Sequence, residues 1–189
     1  MIRCLSVAAL SLPLALSGLA PGPAQAAVSL YSDLYGKKCR TVEHDPGSGA
    51  TTRRCAGVGG YNLLVHEARA QTSVDIVTPT GAVFPLEYWE VVTPGLSRVG
   101  RKAEWRVEQR AGRVVPVALL VRLDVSHPEA QGPRLAPAAV LTGARIHPDG
   151  ACVVYQGDGA ARTADDMARK AVAVRNRKCL GVFTAAAAN

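Results

Sequence analysis

The sequence predicts an α+β fold: an antiparallel sheet of about six or seven strands, one C-terminal helix packed on it, and two disulfides. Three observations carry this reading. Alternating, β-rich runs fill the chain from Tyr61 to Tyr155. The period then becomes helical, with Ala164, Met167, Ala168 and Ala171 at i, i+3, i+4 and i+7. Cys39, Cys55, Cys152 and Cys179 remain once Cys4 is assigned to a leader, and an even number of cysteines in an exported chain reads as two bridges.

Composition agrees with one ordinary domain. Of 189 residues, 48% are hydrophobic and 20% charged, which excludes a disordered or collagen-like chain. The formal charge of +7 favours acidic partners without naming one.

Residues 1–26 carry Arg3, an apolar run from Cys4 to Ala20 broken at Pro13, and the small-residue site Ala24-Gln25-Ala26. This is the pattern of a secretory signal peptide cleaved after Ala26. Residues 27–180 then form a single disulfide-stapled domain, and 181–189 an Ala-rich disordered tail. Losing Arg3 leaves the mature chain at +6. Cys4 precedes the apolar run, which argues against a lipoprotein. No later run reaches the roughly 18 apolar residues of a membrane span, so the expected destination is the periplasm or the medium.

The four cysteines allow three pairings. We favour Cys39 with Cys55, around the segment EHDPGSGATTRR read as a loop, and Cys152 with Cys179, tying a strand to the end of the helix. Closing a loop of the first size is worth about 3 kcal/mol in the chain-entropy model. There is no C-x-x-C, and none of His44, His66, His127 or His147 lies at ligand spacing from a cysteine pair. No metal or other cofactor is expected.

The elements follow in order. Leu30 to Lys38 is too short to classify. NLLVHEA and TSVDIVT, with a short link between them, read as a hairpin, and Pro79-Thr80-Gly81 as a turn. Ala82 to Val92 reads as an extended stretch bent at Pro85, ending before Pro94-Gly95. Ala103, Trp105 and Val107 alternate with Glu104, Arg106 and Glu108, predicting a half-buried strand. Its partner is Val114 to Val125. A three-residue loop, Arg110-Ala111-Gly112, would set Val107 opposite Val115 and Trp105 opposite Val117, keeping apolar residues on one face. His127 to Pro137 reads as a loop. Strands at Ala138 to Ile146 and Ala151 to Tyr155 are joined at His147-Pro148-Asp149-Gly150. In the helix, Thr163 is the expected N-cap with Asp166 completing the box, Val174 continues the apolar stripe, and Asp165–Arg169 and Asp166–Lys170 are i,i+4 pairs.

The segments RRCAGVGGYNLLV, FPLEYWEVVT, SRVGRKAEWRVEQ and VVPVALLVR together resemble a group of exported bacterial proteins to which no activity is assigned. The resemblance implies export and one domain. It implies no functional residue.

No complete catalytic motif is present. Gly95-Leu96-Ser97-Arg98-Val99-Gly100 is one residue too long for a nucleophile elbow. His66-Glu67 lacks the second histidine of a zinc protease, and Gly57-Val58-Gly59-Gly60 lacks the dinucleotide fingerprint. Glu87, Glu90, Glu104 and Glu108 are the candidates for an acid and base pair, but Arg106 between the last two would hold both ionised. The segment Glu87-Tyr88-Trp89-Glu90, followed by Arg98, Arg101 and Lys102, has a hot-spot composition; a buried Trp89 would instead be core. Arg53 and Arg54, beside Cys55, form a second basic spot. The candidate binding residues are therefore Trp89, Glu90, Arg98, Arg101, Lys102, Arg53 and Arg54. The expected function is an exported binding module whose partner is an envelope or extracellular protein or an acidic polymer. Export and the lack of interleaved aromatics argue against nucleic acid. The alternative is an envelope hydrolase acting on glycan or peptide through carboxylates gathered only by folding.

Overall fold

The computed structural model describes residues 27–93, 95–126, 138–181 and 184–185. The expected leader (1–26), the proline-rich loop (127–137) and most of the tail lie outside the described residues. In chain order the first strands are β1 (Val28–Asp33), β2 (Cys39–His44), β3 (Thr51–Ala56), β4 (Asn62–Ala68), β5 (Gln71–Val77) and β6 (Val83–Pro85). A short helix α1 (Tyr88–Val91) leads to the long strands β7 (Leu96–Arg110) and β8 (Arg113–Ser126). Then follow β9 (Ala138–His147), β10 (Gly150–Asp158), the main helix α2 (Ala164–Ala173) and the two-residue β11 (Thr184–Ala185). The last of these corrects part of the expected disordered tail, because Thr184 and Ala185 pair with β10.

The chain is mostly antiparallel sheet with one main helix and two disulfides, but the strands form two sheets instead of one. The first runs β1-β7-β8-β9-β10 and ends in β11, while the second runs β2-β3-β4-β5-β6. The core lies between them, with Leu63, Val65 and Ile76 from the second sheet in one apolar cluster with Trp105, Leu119 and Val121 from the first. Alternation along a strand reports which face is buried, not which sheet the strand joins, so it left the split invisible. Helix α2 covers the outer face of the first sheet, where Ala164, Ala168 and Val172 meet Ala118, Leu120 and Val154.

The segment read as a stapled loop is a hairpin. Cys39 sits directly opposite Cys55 in the β2–β3 ladder, and the two are joined by a disulfide. Every residue of β2 after Cys39 is exposed, which is why no apolar alternation announced it. A second disulfide joins Cys152 in β10 to Cys179 beyond α2.

Five further expectations are corrected. The stretch Ala82 to Val92 is extended only through Pro85; Glu87, in the left-handed region at φ 48°, redirects the chain into α1. The β7–β8 connection is a two-residue turn, Ala111-Gly112, with both residues left-handed. That turn alone would put Trp105 opposite Ala118. A bulge at Val117 absorbs the mismatch, so Val107 faces Pro116 and Trp105 faces Leu119. Helix α2 buries Ala164, Ala168, Ala171 and Val172 and leaves Met167 and Val174 exposed. The buried stripe is turned toward Val172 because the helix lies on Gly143, where an added Cβ would meet Val172 Cγ1 at 2.7 Å. Thr163 makes no side-chain cap bond, and Asp165 pairs with Arg122 of β8 instead of Arg169. Among the described residues no helix is long and apolar enough to cross a membrane.

Candidate functional site

Two of the segments singled out in the sequence converge in space. An open cleft of about 630 Å³ is lined by Tyr35, Arg53, Glu67, Ser97, Arg98 and Asp124, among others. The β2–β3 hairpin brings Arg53 from the second sheet, and the start of β7 brings Arg98 from the first. Arg53 is fixed in place: it donates to both Glu67 carboxylate oxygens, at 2.8 and 3.0 Å, and lies 4.6 Å from the centroid of the Tyr35 ring. Burial pushes the Glu67 carboxyl up, but the Arg53 hydrogen bonds and charge outweigh this and hold it below its ordinary value.

Arg98 and Asp124 differ from that pair. They face one another in the β7–β8 ladder, both are exposed, and among the described residues they form no ion pair with each other. The cleft therefore offers one cation and one anion beside an internally neutralised pair. Its rim includes Ala70, in the two-residue β4–β5 turn where Arg69 and Ala70 are both left-handed, at φ 50° and 60°. Side chains at such positions cost about 1–2 kcal/mol each. The Ala70 carbonyl accepts the Ser97 N–H at 2.9 Å, while Ser97 Oγ accepts the Thr72 N–H at 3.1 Å. Ser97 is thus buried and spent in joining the sheets, with no nucleophilic role.

The other nominated residues lie elsewhere. Arg54 follows Arg53 on a strand and so points to the opposite, outer face of the second sheet. Trp89 is half-buried, neither core nor free, with its ring 6.4 Å from that of His66 on this outer face; Glu90 beside it is exposed. Arg101 and Lys102 are exposed in a bulge where Gly100, Arg101 and Lys102 oppose Arg122 alone. The seven candidates thus divide between one cleft and two separate surfaces.

Beneath Trp89 is a chain of polar groups that no sequence motif announced. His66 Nε2 is 2.8 Å from Asp75 Oδ2, its Nδ1 is 3.1 Å from Thr52 Oγ1, and Thr52 donates to Glu43 at 3.3 Å. The members come from four adjacent strands, so only their cross-strand register could have found them. The order acid, imidazole, hydroxyl matches a nucleophile relay. Thr52, however, is buried in the middle of β3, between β2 and β4, where the ladder uses the backbone N–H groups that an oxyanion hole would need. The network joins strands.

Two of the candidate carboxylates, Glu104 and Glu108, are each held by an arginine. Glu104 is buried, receives 2.7 and 2.9 Å hydrogen bonds from Arg169 and one of 2.5 Å from Ser29, and lies 3.7 Å from Arg106. Burial pushes its carboxyl up, but these donors and charges prevail and hold it below its ordinary value. Glu108 pairs with Arg110 at 2.7 Å and not with Arg106. Among the described residues no group of three His, Cys, Asp or Glu side chains is placed to hold a metal.

Compared with known proteins, the chain matches no family model, no curated protein and no solved structure.

Proposed function

We propose that the protein is an exported binding module whose partner, an envelope or extracellular protein, docks in the cleft between the two sheets. One observation carries the reading: Arg98 and Asp124 face one another across the β7–β8 ladder, exposed and in no ion pair among the described residues, in a cleft where Arg53 and Glu67 neutralise each other. A partner segment bearing both signs satisfies them together, and such complementarity gives specificity beyond net charge. The two disulfides agree with an oxidising, exported setting. The β2–β3 hairpin, pinned at its base, presents Arg53 on a rigid element.

The test is capture from the envelope and medium of the source organism with the oxidised protein as bait, comparing wild type with the Arg98→Ala/Asp124→Ala double variant. This pair leaves net charge unchanged. A partner held by wild type through a high-salt wash and lost by the variant supports the cleft, because screening removes simple charge adhesion. An identical captured set from both proteins overturns it.

A further inference from the structure

We infer that the outer face of the first sheet carries a second, independent binding site, a groove for an acidic glycan chain. The groove encloses about 850 Å³ beside the C-terminal end of α2, and Arg106, Arg110, Arg145, Arg169 and Arg175 all line it. Against five guanidinium groups stands a single lining carboxylate, Glu108, already paired with Arg110. Even when the buried Glu104 beneath Arg106 and Arg169 is counted, and Asp166 at 3.4 Å from Arg169, two positive charges are uncompensated among the described residues. Folding gathers like charges at an energetic cost, and a concave site where they converge is an anion-binding candidate.

The arginines are also positioned. Arg145 Nη1 donates at 3.0 Å to the carbonyls of Val172 and Val174, so the end of α2 holds this side chain in place, while its buried Nε has no partner. Arg106 donates to Ser29 Oγ and to the Ala27 carbonyl. Burial, then the Arg175 charge, depresses the Arg145 guanidinium against the opposing pull of Glu108. Guanidinium groups prefer carboxylate and phosphate oxygens, which they can meet in planar pairs.

The surroundings select the class of polymer. The floor is β8 at Val115, Pro116 and Val117, past the end of the β9 ladder, where Pro116 has no N–H to donate and Val117 is the bulge, so this edge is blunted against an added strand. Two rings line the groove, Tyr61 and His147; Tyr61 is engaged edge-on with Trp105 at 6.1 Å, and His147 has an interaction of its own. Bases therefore lack the row of aromatic rings on which a single strand stacks. A glycan bearing carboxylate or phosphate groups along its length needs only the repeated cations. This site shares no lining residue with the inter-sheet cleft, so its fate is separate from that of the protein partner.

The experiment titrates the oxidised protein with polygalacturonate, and with single-stranded DNA of matched charge, over a salt series. Three proteins are compared: wild type, Arg110→Gln/Arg175→Gln in the groove, and Arg40→Gln/Arg162→Gln, two exposed residues outside it. Both variants lose the same charge. The expected result is polygalacturonate binding that weakens at least about tenfold in the groove variant, with a salt slope shallower by about two, and stays within about twofold in the other. Equal losses in both variants, no polygalacturonate binding by wild type, or tighter binding of DNA would overturn the proposal. Unchanged melting temperatures establish that a lost affinity is not lost folding.

Discussion

Glu104 shows how one residue joins three elements of this molecule. It sits on β7, only 9% of its side chain is exposed, and it binds Arg169 of α2, Ser29 of β1 and its neighbour Arg106. Glu104→Ala leaves Arg169 with Asp166 and Arg106 with Ser29 and the Ala27 carbonyl, and breaking this partly exposed pair costs about 2 kcal/mol, below the range for a fully buried one; urea denaturation should show a correspondingly lower midpoint. The pH dependence has a definite sign. Because the folded carboxyl lies below its ordinary value of 4.5, its contribution is complete above that value and is lost as pH falls through the folded one. Melting curves of wild type should drop below about pH 4.5 more steeply than those of Glu104→Gln. Ala70 gives the opposite case. Its left-handed backbone is strained, and Ala70→Gly should raise stability by about 0.5–1 kcal/mol after glycine's own entropy cost. The sequence disclosed that Glu104 faces Arg106, but Arg169 lies 65 residues away and was read as the i,i+4 partner of Asp165. Local spacing favoured the near partner, and packing of the helix on the sheet delivered the far one.

Among elements, those with a buried face were legible and those without were not. β4, β5, β7 and β8 each carry a face that meets the core, whereas β2 exposes both faces and reads as loop. The Val117 bulge escaped because Val114 to Val117 is apolar on both faces: the two-residue turn sets Val107 opposite Pro116 and Val115 opposite Glu108, and the bulge then brings Leu119 opposite Trp105. Two elements depend on single devices. Replacing Cys39 and Cys55 by serine opens the β2–β3 hairpin and should cost about 3 kcal/mol, seen as a lower melting temperature of the oxidised protein, while reductant should no longer affect this hairpin. Gly143→Leu places a side chain where Val172 already lies, so α2 must lift from β9. Loss of helical circular dichroism at a temperature where the sheet signal persists is the expected outcome.

At the scale of the whole molecule, the sequence singled out charged and aromatic segments but not which of them meet. Arg53 and Arg98 are 45 positions apart in the chain and share a cleft because two sheets face each other; no single-strand pattern encodes that. Trp89 lies on a different surface, and the arginine groove assembles from β7, β8, β9, α2 and the residue Arg175 beyond it, so no single segment carries all its cations. Asp124 was passed over because a charged residue in a strand ordinarily marks a solvated face. The account therefore rests on the inter-sheet cleft as the place where a protein partner binds. Hydrogen exchange of the captured complex tests this directly, by comparing amide protection with the free protein. We expect new protection in residues 67–72, 96–98 and 124–126, which border the cleft. Protection confined to the Trp89 surface or to the bulge at Arg101 and Lys102, with these segments unchanged, would contradict it.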